Sequence, residues 1–165
     1  MEQLLIRLTP EHDESIHSFI SRTAAANFMM SVQELYKLAD LKGKRYPVSL
    51  YQLDEDKFDK LSEITNFPKD KYISLRSLSE CGDVEEKVQF KYAIHTSKIK
   101  VCPECLNTKG YLRKTWDIAL VTVCPIHQLL LIDTCSSCHR QLSVHRKKSL
   151  LCTCGYVLCK DECNF

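Results

Sequence analysis

Apolar residues recur every three or four positions from 13 to 28: Ile16, Phe19, Ile20, Thr23, Ala24 and Phe28. That stripe predicts an amphipathic helix, with Asp13 or Ser15 as its cap and Asn27 near its end. The other face carries His17, Ser21 and Arg22, which the periodicity places toward solvent. A second helix is expected from Ser31, where Ser31-Val32-Gln33-Glu34 has the form of a capping box. Leu35, Leu38, Ala39 and Leu41 are its apolar side, and Gly43 is its expected stop. A third runs from about Glu55 to Thr65, with Asp54 as cap and Phe58, Leu61 and Ile64 as the buried side; Asn66-Phe67-Pro68 breaks it. Asp70 then opens a short helix anchored by Tyr72, Ile73, Leu75 and Leu78.

Four short helices at this spacing predict a helix-turn-helix domain over residues 1–80. Residues 79–87 are polar and include Gly82, which marks a linker; Cys81 within them has no partner at ligand spacing. Val88, Phe90, Tyr92 and Ile94 then alternate with polar positions, the period of a half-buried strand. Linker and strand together fill 81–98. The expected fold class is small α+β, with tandem zinc ribbons over 99–165.

The ribbon expectation rests on cysteine spacing. The chain reads Cys-Pro-Glu-Cys at 102–105, Cys-Pro-Ile-His at 124–127, Cys-Ser-Ser-Cys at 135–138 and Cys-Thr-Cys-Gly at 152–155. Four close pairs are enough to wrap two tetrahedral ions, and Zn²⁺ favours such Cys/His cages. Cys102, Cys105, Cys124 and His127 form the first expected site, with His139 or His145 as alternatives to His127. Cys135, Cys138, Cys152 and Cys154 form the second, with Gly155 allowing a tight turn. Cys159 and Cys163 are left over, either as free thiols or as substitutes for Cys152 or Cys154. The 18 residues between Cys105 and Cys124 suit a ribbon with each pair on a hairpin knuckle. Leu120, Val121 and Val123 are the expected strand into the second knuckle, and Tyr111 and Trp116 the large residues that pack the small core.

Composition narrows the function. Apolar content of 44% and charged content of 27% are ordinary for a folded soluble protein. No basic segment followed by an apolar core opens the chain as in a signal peptide, so reduced thiols in a cytoplasm, and metal rather than disulfides, are expected. Each expected site supplies four protein ligands, the closed arrangement of structural zinc; a catalytic zinc keeps a position for water. No Walker A, HExxH or GxSxG pattern occurs. A binding or adaptor protein is therefore expected, not an enzyme.

The net charge of +2 announces no nucleic-acid partner in bulk. Local candidates are the basic turn with Lys42, Lys44 and Arg45, and the run Arg146-Lys147-Lys148, both of which also read as solvated loops. Against DNA reading by the third helix stand Asp54, Glu55, Asp56, Asp59 and Glu63, facing only Lys57 and Lys60. Carboxylates at that density are repelled by phosphates, which favours protein docking or dimer contacts. A helix-turn-helix transcription regulator is the alternative.

The run from Pro10 to Asn27, with Glu14, Ser15, Ser18, Phe19, Arg22, Ala24 and Asn27, resembles the opening motif of TniQ-family transposition proteins. The order Cys-Pro-x-Cys-Leu, Tyr111, Arg113, Trp116, Cys-Pro-x-His, Leu130, Leu131, Cys-x-x-Cys and Cys-x-Cys-Gly ending at Leu158 is similar to the same family. The resemblance implies a non-catalytic target-selection subunit. Its partners would be a TnsC-type AAA+ ATPase and a target-recognition complex, which in CRISPR-associated transposons is an effector with guide RNA. Some family members dimerise, so a homodimer is an open expectation, and the basic turns are expected to make secondary contacts to DNA or guide RNA. Many relatives carry a longer C-terminal part, whereas this chain stops ten residues past Gly155, which favours the short, effector-coupled type.

Overall fold

Helix α1 (Ile16–Ala26) is buried on more than one side, and this decides the architecture. The computed structural model describes residues 3–41, 50–76, 98–144, 146 and 149–159. Lys42, Lys44, Arg45, Lys147 and Lys148, the linker and strand expected over 79–95, and Cys81, His145 and Cys163 lie outside them. Five α-helices are described: α1, α2 (Val32–Leu38), α3 (Phe58–Thr65), α4 (Lys69–Arg76) and α5 (Pro103–Lys109). A 3₁₀ turn, Glu55–Lys57, leads into α3, and another spans Lys114–Asp117. Among the described residues, β structure consists of isolated antiparallel bridges.

The first cluster is built as the periodicity predicts. Ile16, Phe19, Ile20 and Ala24 of α1 bury against Val32, Leu35 and Tyr36 of α2, Phe58, Leu61 and Ile64 of α3, and Tyr72 and Leu75 of α4. Tyr72 sits among three aromatic rings: it is stacked on Phe58 (5.8 Å, 19°), edge-on to Phe67 (4.9 Å, 83°) and 5.9 Å from Phe19. Thr65 Oγ1 donates to the Leu61 carbonyl at 2.7 Å, so the Tyr72 hydroxyl, 2.7 Å away, donates to Thr65. One polar atom in an aromatic cluster is thereby satisfied.

Helix ends follow local chemistry with corrections. Ser15 caps α1, its Oγ accepting from Ser18 N at 3.1 Å. Asn27 ends the helix and ties down the N-terminal segment, because its side-chain amide bonds both the N–H and the carbonyl of Ile6. The capping box at α2 does not close: Ser31 makes no side-chain cap, and Glu34 Oε2 accepts from Met30 N at 3.2 Å. Nor does α2 reach Gly43. It ends at Ala39 because Asp40 adopts a left-handed φ of 55°, and Leu41 N returns to Tyr36 O at 2.8 Å, a Schellman closure. The buried face is Val32, Leu35, Tyr36 and Ala39, and Leu38 is exposed. Asn66, at φ 52°, ends α3 as its residue type allows.

The second cluster gathers Ile99, Val101, Leu106, Leu112, Trp116, Leu142, Val144 and Leu158 around buried cysteines. Segment 98–101 threads it: Ile99 N donates to Leu142 O at 3.1 Å, and Val101 and Ile132 exchange both backbone bonds at 2.9 Å. Residues 120–123 form no strand. Val123 only bridges Leu130, and Leu120 is exposed. The turn at 118–121 is held instead by Lys100, whose Nζ donates to the carbonyls of Ile118 (2.6 Å), Ala119 (3.0 Å) and Val121.

His17 and Ser21 are buried, contrary to the expected solvent face. They meet Ile99, Leu112, Ser143, Val144, Arg146 and Ser149 across a small cavity. The first cluster covers one side of α1 and the cysteine-bearing region covers the other. A single-sided hydrophobic stripe cannot report the second contact, because that contact is largely polar.

Candidate metal centres and the joint that holds them

Cys102 is the N-cap of α5, Pro103 begins the helix, and Cys105 sits in its first turn. Pro suits this position because its missing N–H has no helical partner there. The first ligand pair thus rides on a helix start, not on the expected hairpin knuckle. Gly110, at φ 72°, closes the helix.

The other three pairs lie on tight turns of one design. Cys124 N donates to Leu129 O (2.8 Å) and Gln128 N to Cys124 O (2.8 Å); Cys135 N to Arg140 O (3.0 Å) and His139 N to Cys135 O (2.9 Å); Cys152 N to Tyr156 O (2.8 Å) and Gly155 N to Cys152 O (2.9 Å). In each, the residue directly after the second ligand takes a left-handed φ: Gln128 at 53°, His139 at 56°, Gly155 at 90°. Only Gly155 signals this in its residue type. His139 is therefore a turn residue and not a substitute ligand.

These elements bring together the two expected sets. Cys102, Cys105, Cys124 and His127 converge with ligand atoms within 4.8 Å of one another, as do Cys135, Cys138, Cys152 and Cys154. The separations are those of a metal cage. Four ligands about 2.3 Å from a tetrahedral ion lie about 3.7 Å apart. Cys105 and Cys124 sulfurs are 3.6 Å apart, Cys135 and Cys154 3.8 Å, and Cys138 and Cys152 3.7 Å. A disulfide would need about 2.05 Å. His127 directs Nδ1 at the sulfurs of Cys102 (3.5 Å), Cys105 (3.3 Å) and Cys124 (3.8 Å). Both donor sets can hold a metal ion. Cys159 is disulfide-bonded and belongs to neither set.

The electrostatics prepare thiolates unevenly. Burial pushes the Cys102 and Cys105 thiols up. For Cys124 burial is outweighed by backbone N–H groups of His127 and Ile126, which bring it down to about 7. The Arg140 N–H lowers Cys138 to about 6. Amides aimed at sulfur stabilise the charged form that a metal needs. The two sites also differ in cover: Cys102, Cys105 and Cys124 are buried, whereas Cys154 is exposed and Cys138 partly so.

Arg146 stands where a phosphate-binding tip was expected, and it faces inward. It is 3% exposed, with Nε on Ser143 O (3.1 Å) and Nη1 on Leu151 O (3.3 Å). A guanidinium held this way is closed to a phosphate backbone.

A polar joint ties α1 to the cysteine-bearing region. Asp13 accepts from the Tyr111 hydroxyl (2.6 Å) and pairs with Arg113, and its carbonyl accepts from Lys114 N (2.8 Å). Glu14 is fully buried: Oε1 accepts from Ser18 Oγ (2.6 Å), and Oε2 from Arg22 (2.5 Å) and Glu11 N (3.1 Å). Ser18 Oγ in turn accepts from Leu112 N (2.9 Å), and Ser15 N donates to Leu112 O (2.8 Å). Tyr51 donates to Asp117 (2.6 Å) beside this seam. Burial pushes Asp117 up to about 7, against the opposing pull of the Tyr51 and Ser15 hydroxyls and Lys100. Hydropathy patterning misses the polar partners. Only their presence in the resemblance motif marked Glu14, Ser18 and Arg113; Tyr111 was marked only as a core-packing residue and a motif position, and nothing marked Lys100.

A helical cluster fastened by a polar joint to a region with two Cys/His sets able to hold metal ions defines a class of small helical protein with candidate metal centres. The TniQ family model matches residues 5–131, and the chain belongs to the TniQ family, whose members act in transposition. The match spans the joint and the whole first ligand set, with the second set lying beyond it. No curated protein matches the chain. Among the described residues no helix is long and apolar enough to cross a membrane.

Proposed function

We propose that this chain is a non-enzymatic target-selection adaptor. It links a target-recognition complex, of the kind formed by a CRISPR effector with guide RNA, to a TnsC-type AAA+ ATPase and through it to the transposase. The observation that carries this is the joint. Of the family-motif residues at the N-terminal end, Ser15 and Ser18 bond Leu112 in the segment that follows the first ligand pair, and Glu14, paired with Arg22, accepts from the Ser18 hydroxyl. Motif residues spent on bracing a scaffold fit a protein whose work is holding partners in register. Zn²⁺ is the proposed occupant of both sites, because Cys₃His and Cys₄ sets with four protein ligands suit structural zinc. On this reading residues 1–80 are a helix-turn-helix module, 81–98 a connector and 99–165 the zinc-bearing part.

Protein docking is favoured over groove reading. Asp54, Glu55, Asp56, Asp59 and Glu63 are all exposed around α3, a surface that repels phosphates and suits basic protein patches. Lys42, Lys44, Arg45, Lys147 and Lys148 remain the proposed secondary DNA or RNA contacts. The test is a pull-down of the zinc-loaded protein with a TnsC-type ATPase, with and without duplex DNA. Retention of the ATPase is expected. No retention in either condition would remove the adaptor assignment.

A further inference from the structure

Phe28 belongs to the apolar stripe that the periodicity assigns to α1, yet it is 85% exposed. The helix end accounts for the reversal. Phe28 N donates to Ala25 O and Met29 N to Ala24 O, both at 3.1 Å, the two bonds of a Schellman closure. That closure sets Phe28 at the left-handed position, φ 59°, while Met29 packs against the core. Glycine or asparagine is the ordinary residue there, because a Cβ at left-handed φ crowds the next carbonyl. Among the described residues with left-handed φ, Phe28 alone is apolar. The fold therefore bears a backbone cost for a ring that it does not bury.

Other apolar side chains join the ring at the surface. Leu5 is 91% and Met30 66% exposed, with Ile6 exposed beside Leu5. The Asn27 side chain clamps the two stretches together through the N–H (2.9 Å) and carbonyl (2.7 Å) of Ile6. Leu4 is buried and its N–H donates to Ile64 O at 2.9 Å, so the strap that carries Leu5 is fixed to the helical cluster. From Thr23 to Gln33 the chain has no Asp, Glu, Lys or Arg, and residues 3–8 hold one charge, Arg7, which bonds Gln3.

Charge and area choose the occupant. A face with one cation offers phosphates little, which argues against nucleic acid. Leu5, Ile6, Phe28 and Met30 expose together roughly 500 Å², the size of patches that are often functional on monomers. That is short of the about 800 Å² per partner of a stable interface, so two copies of this chain would not hold together by this face alone. It suits a protein that also grips the chain elsewhere. Of the two partners proposed above, the ATPase is the one without RNA.

We propose that Phe28, with Leu5, Ile6 and Met30 around it, is the apolar anchor by which this chain docks into an apolar pocket of the TnsC-type ATPase. This rests on the adaptor reading above and names the surface that reading leaves open. A single exposed aromatic ring in an uncharged patch is the kind of residue on which binding energy concentrates.

The test joins stability to binding, using the full zinc-loaded chain and the ATPase. Phe28→Gly should raise the ratio of folded to unfolded protein about fivefold, the low end of the left-handed penalty. The same variant should weaken binding of the ATPase about thirtyfold, the loss expected for an anchor residue. Leu5→Ser and Met30→Ser, at exposed positions, should each weaken binding by a smaller factor without lowering stability. The proposal is overturned if the parent retains the ATPase and Phe28→Gly retains it equally well. It is also overturned if Phe28→Gly lowers stability, which would make the ring part of the fold. Conversion of a dimer to a monomer by Phe28→Gly, or loss of duplex DNA binding with ATPase binding intact, would give the face to those occupants and overturn it likewise. A parent chain that retains no ATPase would remove the adaptor reading itself, and this docking face with it.

Discussion

The hydroxyl of Tyr111 donates to the carboxylate of Asp13 at 2.6 Å across 98 positions of sequence. With the Asp13–Arg113 ion pair beside it, this contact fastens the start of α1 to the segment that follows the first ligand helix. Tyr111→Phe should lower unfolding stability by about 1 kcal/mol, the usual net value of one hydrogen bond. Asp13→Ala should cost more, about 2 kcal/mol, because it also strands the largely buried Arg113 side chain. Denaturant unfolding checks both, and a double-mutant cycle should show coupling between them. Bound metal should stay unchanged, since neither residue touches a ligand set.

Glu14 makes a stronger prediction. Its carboxylate is fully buried and satisfied by Ser18, Arg22 and the Glu11 amide. Glu14→Ala removes the acceptor of three donors, and the expected loss is about 3 kcal/mol, at the low end for a broken buried pair because Arg22 keeps some solvent. Arg22→Ala, which strands the buried carboxylate, should be at least as damaging. If both variants melt like the parent, the joint does not hold the fold.

Asp117 predicts a pH dependence. Its folded value lies near 7, above the ordinary carboxylate value of 3.8, chiefly because burial penalises the charged form. Between those values the folded state holds a proton that the unfolded state has lost. Stability therefore falls as pH rises through that window, by at most about 1.4 kcal/mol per pH unit, and levels off above the folded value. Asp117→Asn should flatten the slope. The comparison is made with metal bound between pH 6 and 8, where ligand protonation interferes least; parallel curves for the two proteins would contradict the prediction.

The cages should empty in order. Cys154 is exposed and Cys138 partly so, while the three cysteines of the first set are buried. A chelator should remove the second-site ion first, and iodoacetamide should label Cys154 before Cys102, Cys105 or Cys124. Mass spectrometry of partly stripped protein reads out that order. Cys105→Ser should lose one ion and unpack α5, because metal affinity is part of this region's folding free energy. Retention of two ions by that variant would remove Cys105 from the ligand set.

The four helical stretches of the N-terminal part and the two Cys/His groups that could hold metal ions were legible in the sequence. Periodicity places Phe58, Leu61 and Ile64 on one side of α3, and paired cysteines with short spacers have few geometries besides a shared ion. These are local properties, carried by residues a turn or a knuckle apart. Tertiary structure decided the rest. His17 and Ser21 are buried because a second layer arrives from residues 99–149. Arg146 points inward because carbonyls at 143 and 151 accept it. Gln128 and His139 turn left-handed where their N–H groups close the turns back on Cys124 and Cys135. In each case a polar or strained residue is settled by packing or by hydrogen-bond partners, and hydrophobic patterning registers apolar burial while staying silent on where such partners come from.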